Sequence, residues 1–67
     1  MTENLEYYKV FYYVAKLGSL TAAAQELSVS QPAVSQAIKH LEQALETRLF
    51  MRASRGIRLT SEGQVLF

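Results

Sequence analysis

From Leu5 onward the apolar residues recur at Leu5, Tyr8, Phe11, Val14 and Ala15, with Tyr12 beside them, close to the 3.6-residue period at which a helix buries one stripe. This spacing predicts a first helix from about Asn4 to Leu17, with Asn4 as amino cap, Glu6 in the first turn and Gly18 as a left-handed stop. Ser19 is placed to cap a second, short helix with Leu20, Ala23, Ala24 and Leu27 on one face. The small side chains of Ala23 and Ala24 let another helix approach closely. Ser28, Val29 and Ser30 read as a tight turn that drops Val29 into the core and caps the next helix with Ser30. Pro32 fits that helix's first turn, where amides lack intrahelical partners.

The third helix has the clearest pattern, with Val34, Ile38, Leu41 and Leu45 on one narrow stripe. The opposite face carries Pro32, Gln36, Lys39 and Gln43, with Ser35 beside them. That face is polar, long-armed and free of acid, while Glu42 falls near the buried edge. After Thr47 the period changes. The runs Leu49-Phe50-Met51-Arg52 and Ile57-Arg58-Leu59 predict a hairpin of two very short strands, with Gly56 marking the turn. Thr60 can cap a fourth helix with Glu62 in its first turn. Val65, Leu66 and Phe67 begin an apolar stripe that the chain does not continue, so a fragment of something longer, or an incomplete linker helix, is expected.

A length of 67 residues leaves room for one small domain. Hydrophobic residues at 49% against 19% charged predict a chain that folds. With no cysteine there is no disulfide framework and no thiolate metal site, which suits a reducing compartment and gives a cytoplasmic expectation. The polar, acidic start and the lack of any apolar run near ~18 residues argue against export and membrane insertion.

The net charge of +1 says little until it is divided along the chain. Residues 1–30 hold Lys9 and Lys16 against Glu3, Glu6 and Glu26, a net of −1. Residues 31–67 hold Lys39, Arg48, Arg52, Arg55 and Arg58 against Glu42, Glu46 and Glu62, a net of +2. From Arg48 to Leu59 there are four arginines and no acid. An arginine group beside an acid-free helix face points to a nucleic-acid footprint more than to a solvated surface, with Arg48 the member most readily conceded to structure.

Two helices joined by a three-residue turn, the second exposing Gln, Ser, Gln and Lys, make a helix-turn-helix whose second helix enters the major groove. A glutamine amide pairs with adenine through donor and acceptor together, serine bonds base or phosphate, and lysine neutralises phosphate. The arginine-bearing hairpin is placed like a wing that lays Arg55 along the backbone or into the minor groove. Helix amino ends at Ser19 and Ser30 add phosphate-binding termini.

The run Gly18-Ser19-Leu20-Thr21-Ala22-Ala23-Ala24, then Leu27-Ser28-Val29-Ser30-Gln31-Pro32-Ala33-Val34-Ser35, then Leu41-Glu42, Leu49-Phe50, Arg52, Arg55 and Leu59-Thr60-Ser61-Glu62-Gly63 resembles the amino-terminal DNA-binding domain of LysR-type transcriptional regulators. The resemblance covers nearly the whole chain. It implies a mainly α fold with a small β-hairpin: a winged helix-turn-helix of three helices, a two-stranded wing and the start of a linker helix. It implies recognition by Gln31, Pro32, Ser35 and Gln36 in the major groove and wing contact by Arg55. A carboxy-terminal effector domain outside this chain, which binds a small molecule, and dimers formed partly through the linker helix are implied as well. The boundaries expected are 1–59 for the DNA-binding domain, with the helix-turn-helix at about 20–39 and the wing at about 48–59, and 60–67 for the linker. The DNA-binding set is Thr21, Ser30, Gln31, Pro32, Ser35, Gln36, Lys39, Arg52 and Arg55, acting on double-stranded DNA in a homodimer or higher oligomer of the full-length protein. The family usually carries glycine where this chain has Glu46. Either Glu46 closes the third helix in a left-handed conformation, or the helix runs on through Glu46 and Thr47.

Competing readings are weaker. Tyr7, Tyr8, Tyr12 and Tyr13 suit core and dimer packing better than base stacking, since tyrosines at helical spacing bury a ring and leave the hydroxyl wet. His40, the single histidine, has no acid or second histidine at ligand spacing, so a solvated or phosphate-near side chain is expected and no metal. No cofactor is expected in this fragment, and no enzyme, because there is no paired His and carboxylate, no phosphate-binding glycine loop and too little chain for a shaped cleft. The alternative function is a winged-helix protein-interaction module. Such an interface favours aromatic or aliphatic anchors, which Gln36, Lys39 and Gln43 are not.

Overall fold

In the computed structural model, which describes the backbone of residues 2–53 and 56–67 and the side chains of 5–53 and 56–67, three helices precede a hairpin and a fourth helix. The order is α1 (Thr2–Leu17), α2 (Leu20–Leu27), α3 (Gln31–Leu45), β1 (Phe50–Ala53), β2 (Gly56–Leu59) and α4 (Ser61–Leu66). The mainly α winged helix-turn-helix expected from the sequence is the fold observed. Phe11 and Val14 of α1, Ala23 and Ala24 of α2, and Val34, Ile38 and Leu41 of α3 meet in one core that Leu49 and Phe50 close from the wing side. The two alanines are buried where α2 lies against its neighbours, as their size requires.

Three helix starts are capped by hydroxyls. Ser19 Oγ accepts the Ala22 amide at 3.1 Å, Ser30 Oγ accepts the Ala33 amide at 3.2 Å, and Thr60 Oγ1 accepts the Gly63 amide at 3.0 Å. The expected cap at Asn4 is overturned, because α1 already begins at Thr2 and Asn4 lies within it. Leu5, expected to open the buried stripe, is exposed.

Both α2 and α3 end without glycine. Ser28 takes φ 58° and ψ 42°, and Glu46 takes φ 54° and ψ 42°. In each case the next amide reaches back across the last turn, Val29 to the Ala24 carbonyl at 3.0 Å and Thr47 to the Glu42 carbonyl at 3.1 Å. These are Schellman closures, and the second decides the alternative left open at Glu46: the helix does not run on. The first corrects the placing of Val29. The left-handed residue turns the chain so that Val29 is 46% exposed rather than in the core. Leu45, the last member of the α3 stripe, is likewise at the surface, and Ala37 joins the buried face instead.

The hairpin is antiparallel, with Phe50 opposite Leu59, Met51 opposite Arg58, Arg52 opposite Ile57 and Ala53 opposite Gly56. Gly56 opens β2, paired with Ala53. Its φ of 117° and the approach of the Gly18 carbonyl oxygen, 3.1 Å from where a Cβ would stand, both call for glycine.

Candidate nucleic-acid interface

The turn Ser28–Ser30 sets the amino end of α3 at the surface. Pro32 and Gln36 are exposed there, Lys39 follows one turn on, and Thr21 is exposed on α2. Ser30 Oγ accepts the cap bond, which leaves its O–H to donate. Gln31 is half-buried and its Nε2 donates to Ser35 Oγ at 3.0 Å. The two glutamines thus differ: Gln36 projects freely, whereas Gln31 is held in place by a neighbour one turn away.

Glu42 faces the wing rather than the outer surface of α3. Its Oε2 accepts the Leu49 amide at 2.7 Å and the Phe50 amide at 3.3 Å, so one carboxylate fixes the entry to β1. The Leu49 carbonyl accepts the Thr60 amide at 3.0 Å and the Arg48 carbonyl accepts the Thr60 hydroxyl at 2.6 Å. Recognition helix, wing and α4 are therefore joined through the short segment Arg48-Leu49.

Between α3 and the wing's base lies an open groove of about 760 Å³ lined in part by Ser35, Lys39, Gln43, Glu46, Arg48 and Arg52. It brings together three members of the expected set, Ser35, Lys39 and Arg52, from two elements. Thr21, Ser30, Gln31, Pro32 and Gln36 do not line it, and Arg55 lies outside the described residues. Arg48, the member of the arginine run most readily conceded to structure, lines the groove too. The signal for it was the acid-free arginine run itself. His40 is exposed as expected, but not simply solvated: its Nδ1 lies 3.1 Å from the Tyr7 hydroxyl, and the two rings are 5.5 Å apart. Tyr7, Tyr8 and Tyr13 pack against the core, while exposed Tyr12 stacks on Phe67 at 5.6 Å. Among the described residues no group of three His, Cys, Asp or Glu is placed to hold a metal ion, and no helix is long and apolar enough to cross a membrane.

Residues 5–64 match the family of bacterial regulatory helix-turn-helix proteins, lysR family. The chain belongs to that family. Among lysR-family relatives, the transcriptional regulator BudR of Klebsiella aerogenes is 43% identical over 64 residues, covering 96% of this chain and 45% of BudR. The crystal structure of a CbnR DBD–DNA complex superposes with a TM-score of 0.85 at 40% identity, covering 90% of this chain and 69% of that one. That of a BenM DBD/catB site 1 DNA complex gives 0.88 at 35% identity, covering 92% and 69%. The chain spans 45% and 22% of the length of two curated relatives it matches.

Proposed function

We infer that the chain is a sequence-specific double-stranded DNA-binding domain of a bacterial-type transcriptional regulator, with α3 in the major groove and the wing on the backbone or in the minor groove. The observation that carries this reading is the outer face of α3: exposed Pro32, Gln36, Lys39 and Gln43 form a polar face, and the helix's one carboxylate near it, Glu42, is turned inward onto backbone amides. In this reading Gln31 and Gln36 read base edges, with Pro32 beside them. Ser35 belongs to the same major-groove set, Thr21, Ser30, Lys39 and Arg52 hold phosphates, and Arg55 contacts the backbone or the minor groove. Residues 1–59 are the binding domain, with the helix-turn-helix at about 20–39 and the wing at about 48–59, and 60–67 start a linker helix. The whole regulator is a cytoplasmic, non-enzymatic homodimer or higher oligomer whose effector site lies outside this chain, which itself needs no cofactor.

Selection of bound sites from random duplexes, followed by titration of the winning site at several salt concentrations, tests the reading. A recovered consensus and a steep fall of affinity with salt are expected. Absence of any consensus, with affinity for protein partners insensitive to salt, would favour an interaction module instead.

A further inference from the structure

Resting on the DNA-binding reading, one residue outside the expected set acquires a role. We propose that Arg48, which lines the groove between α3 and the wing, is a phosphate ligand for the DNA strand that this reading passes between them. With α3 in one groove of the duplex and the wing toward the next, the intervening sugar–phosphate strand must cross the space between them. In this protein that space carries Lys39 from α3, Arg48 from the segment before β1 and Arg52 from β1. Ser35 adds a hydroxyl whose oxygen already accepts Gln31 and whose proton is left to donate.

Arg48 divides cleanly into two parts. Its backbone is structural, since its carbonyl accepts the Thr60 hydroxyl. Its side chain is 80% exposed and meets Glu42 only at 3.9 Å, between Nε and Oε2, while the Glu42 side chain is 17% exposed. An ion pair that long, with one partner in water, contributes little to stability. Glu42 is already occupied by the Leu49 and Phe50 amides, so it does not need the guanidinium. The largely exposed guanidinium beside the groove can therefore exchange that contact for a phosphate, which offers a bidentate partner. Glu42 and Glu46 line the groove as well, so Lys39, Arg48 and Arg52 leave it with a net charge of +1.

The test is titration of the chain and its variants against a labelled duplex over a range of salt. Arg48→Ala should lower the slope of log K against log salt by about 0.9 and weaken binding roughly five- to tenfold at 0.1 M salt, equally on cognate and random sequences. The melting temperature should not move, and Arg48→Lys should restore most of the slope. Lys9→Ala removes an exposed cation of α1 that does not line the groove and sets the scale for a mere change in net charge. A slope change for Arg48→Ala no larger than for Lys9→Ala, while Lys39→Ala lowers the slope of a protein that binds normally, overturns the Arg48 assignment alone. Failure of the unsubstituted protein to bind any duplex at low salt overturns the DNA-binding reading beneath it.

Discussion

The carboxylate of Glu42 accepts the amide of Leu49 seven residues further along the chain, at 2.7 Å, and the amide of Phe50 at 3.3 Å. Leu49 and Phe50 are buried and their bonds to Glu42 part-buried, so without Glu42 these donors lose a partner that water replaces only in part. Glu42→Ala should cost about 1–3 kcal/mol, the penalty of orphaned buried donors. Glu42→Gln keeps a carbonyl oxygen at the same reach and should cost less than half as much. Urea denaturation of both variants measures this, and equal losses would show that the charge, rather than the acceptor, holds the wing.

Base reading and phosphate holding separate on α3. Gln36 is exposed, and Gln36→Ala should cost about 1–3 kcal/mol on the selected site while relaxing base preference there. Gln31→Ala should do the same, and also releases Ser35 from its hydrogen bond. Lys39→Ala should weaken all sequences alike and lower the salt slope by about one. Glutamine variants that lose equally on cognate and random duplexes would remove the direct-readout assignment.

Gly63 is required by a close approach rather than by its backbone angles. A Cβ there would collide with the Leu49 carbonyl oxygen and stand 2.9 Å from Leu59 Cδ2. That carbonyl is bonded to the Thr60 amide and cannot retreat cheaply. Alanine is the better helix former by about 0.8–1.0 kcal/mol, but overpacking costs about 1–3 kcal/mol, so Gly63→Ala should destabilise. A lower melting temperature for Gly63→Ala, with Gln64→Ala in the same helix near neutral, is the expected pair of results.

Sequence patterns were most reliable where one local interaction decides the structure. Ser19, Ser30 and Thr60 cap their helices as their side-chain chemistry predicts, and Glu42 falls on the inner edge of α3 as the helical wheel places it. Val29 and Leu45 were misplaced for different reasons. The first follows a left-handed serine that no propensity singles out, and the second lies on the right face but at the helix's last turn, where periodicity does not tell how far the packing neighbours extend. The basic groove was legible only as a run of arginines, because Lys39, Arg48 and Arg52 are brought together by the inward turn of Glu42 and the pairing of β1 with β2.

Glu46 closes α3 at φ 54°, in the region where a residue with a Cβ pays roughly 1–2 kcal/mol. Its amide and that of Thr47 are bonded to the Gln43 and Glu42 carbonyls at 3.2 and 3.1 Å, so the closure is formed despite the strain. Glycine removes the strain and keeps both bonds, which depend on backbone alone. Against this, glycine gives the unfolded chain more freedom, a cost of roughly 0.5–1 kcal/mol. The exposed carboxylate also stands at the negative end of the helix, so its loss helps in the same direction as relief of strain. Glu46→Gly should therefore raise stability by about 1 kcal/mol, or about 4–8 °C in melting temperature for a domain of this size. Base preference should not change, since Gln31 and Gln36 lie in the other half of the helix. Ser28, left-handed at φ 58°, offers the same test at the end of α2, where no charge is removed: if strain is the dominant cost, Ser28→Gly stabilises too, and a fall in melting temperature for both variants would show that the left-handed strain is smaller than the entropy glycine costs.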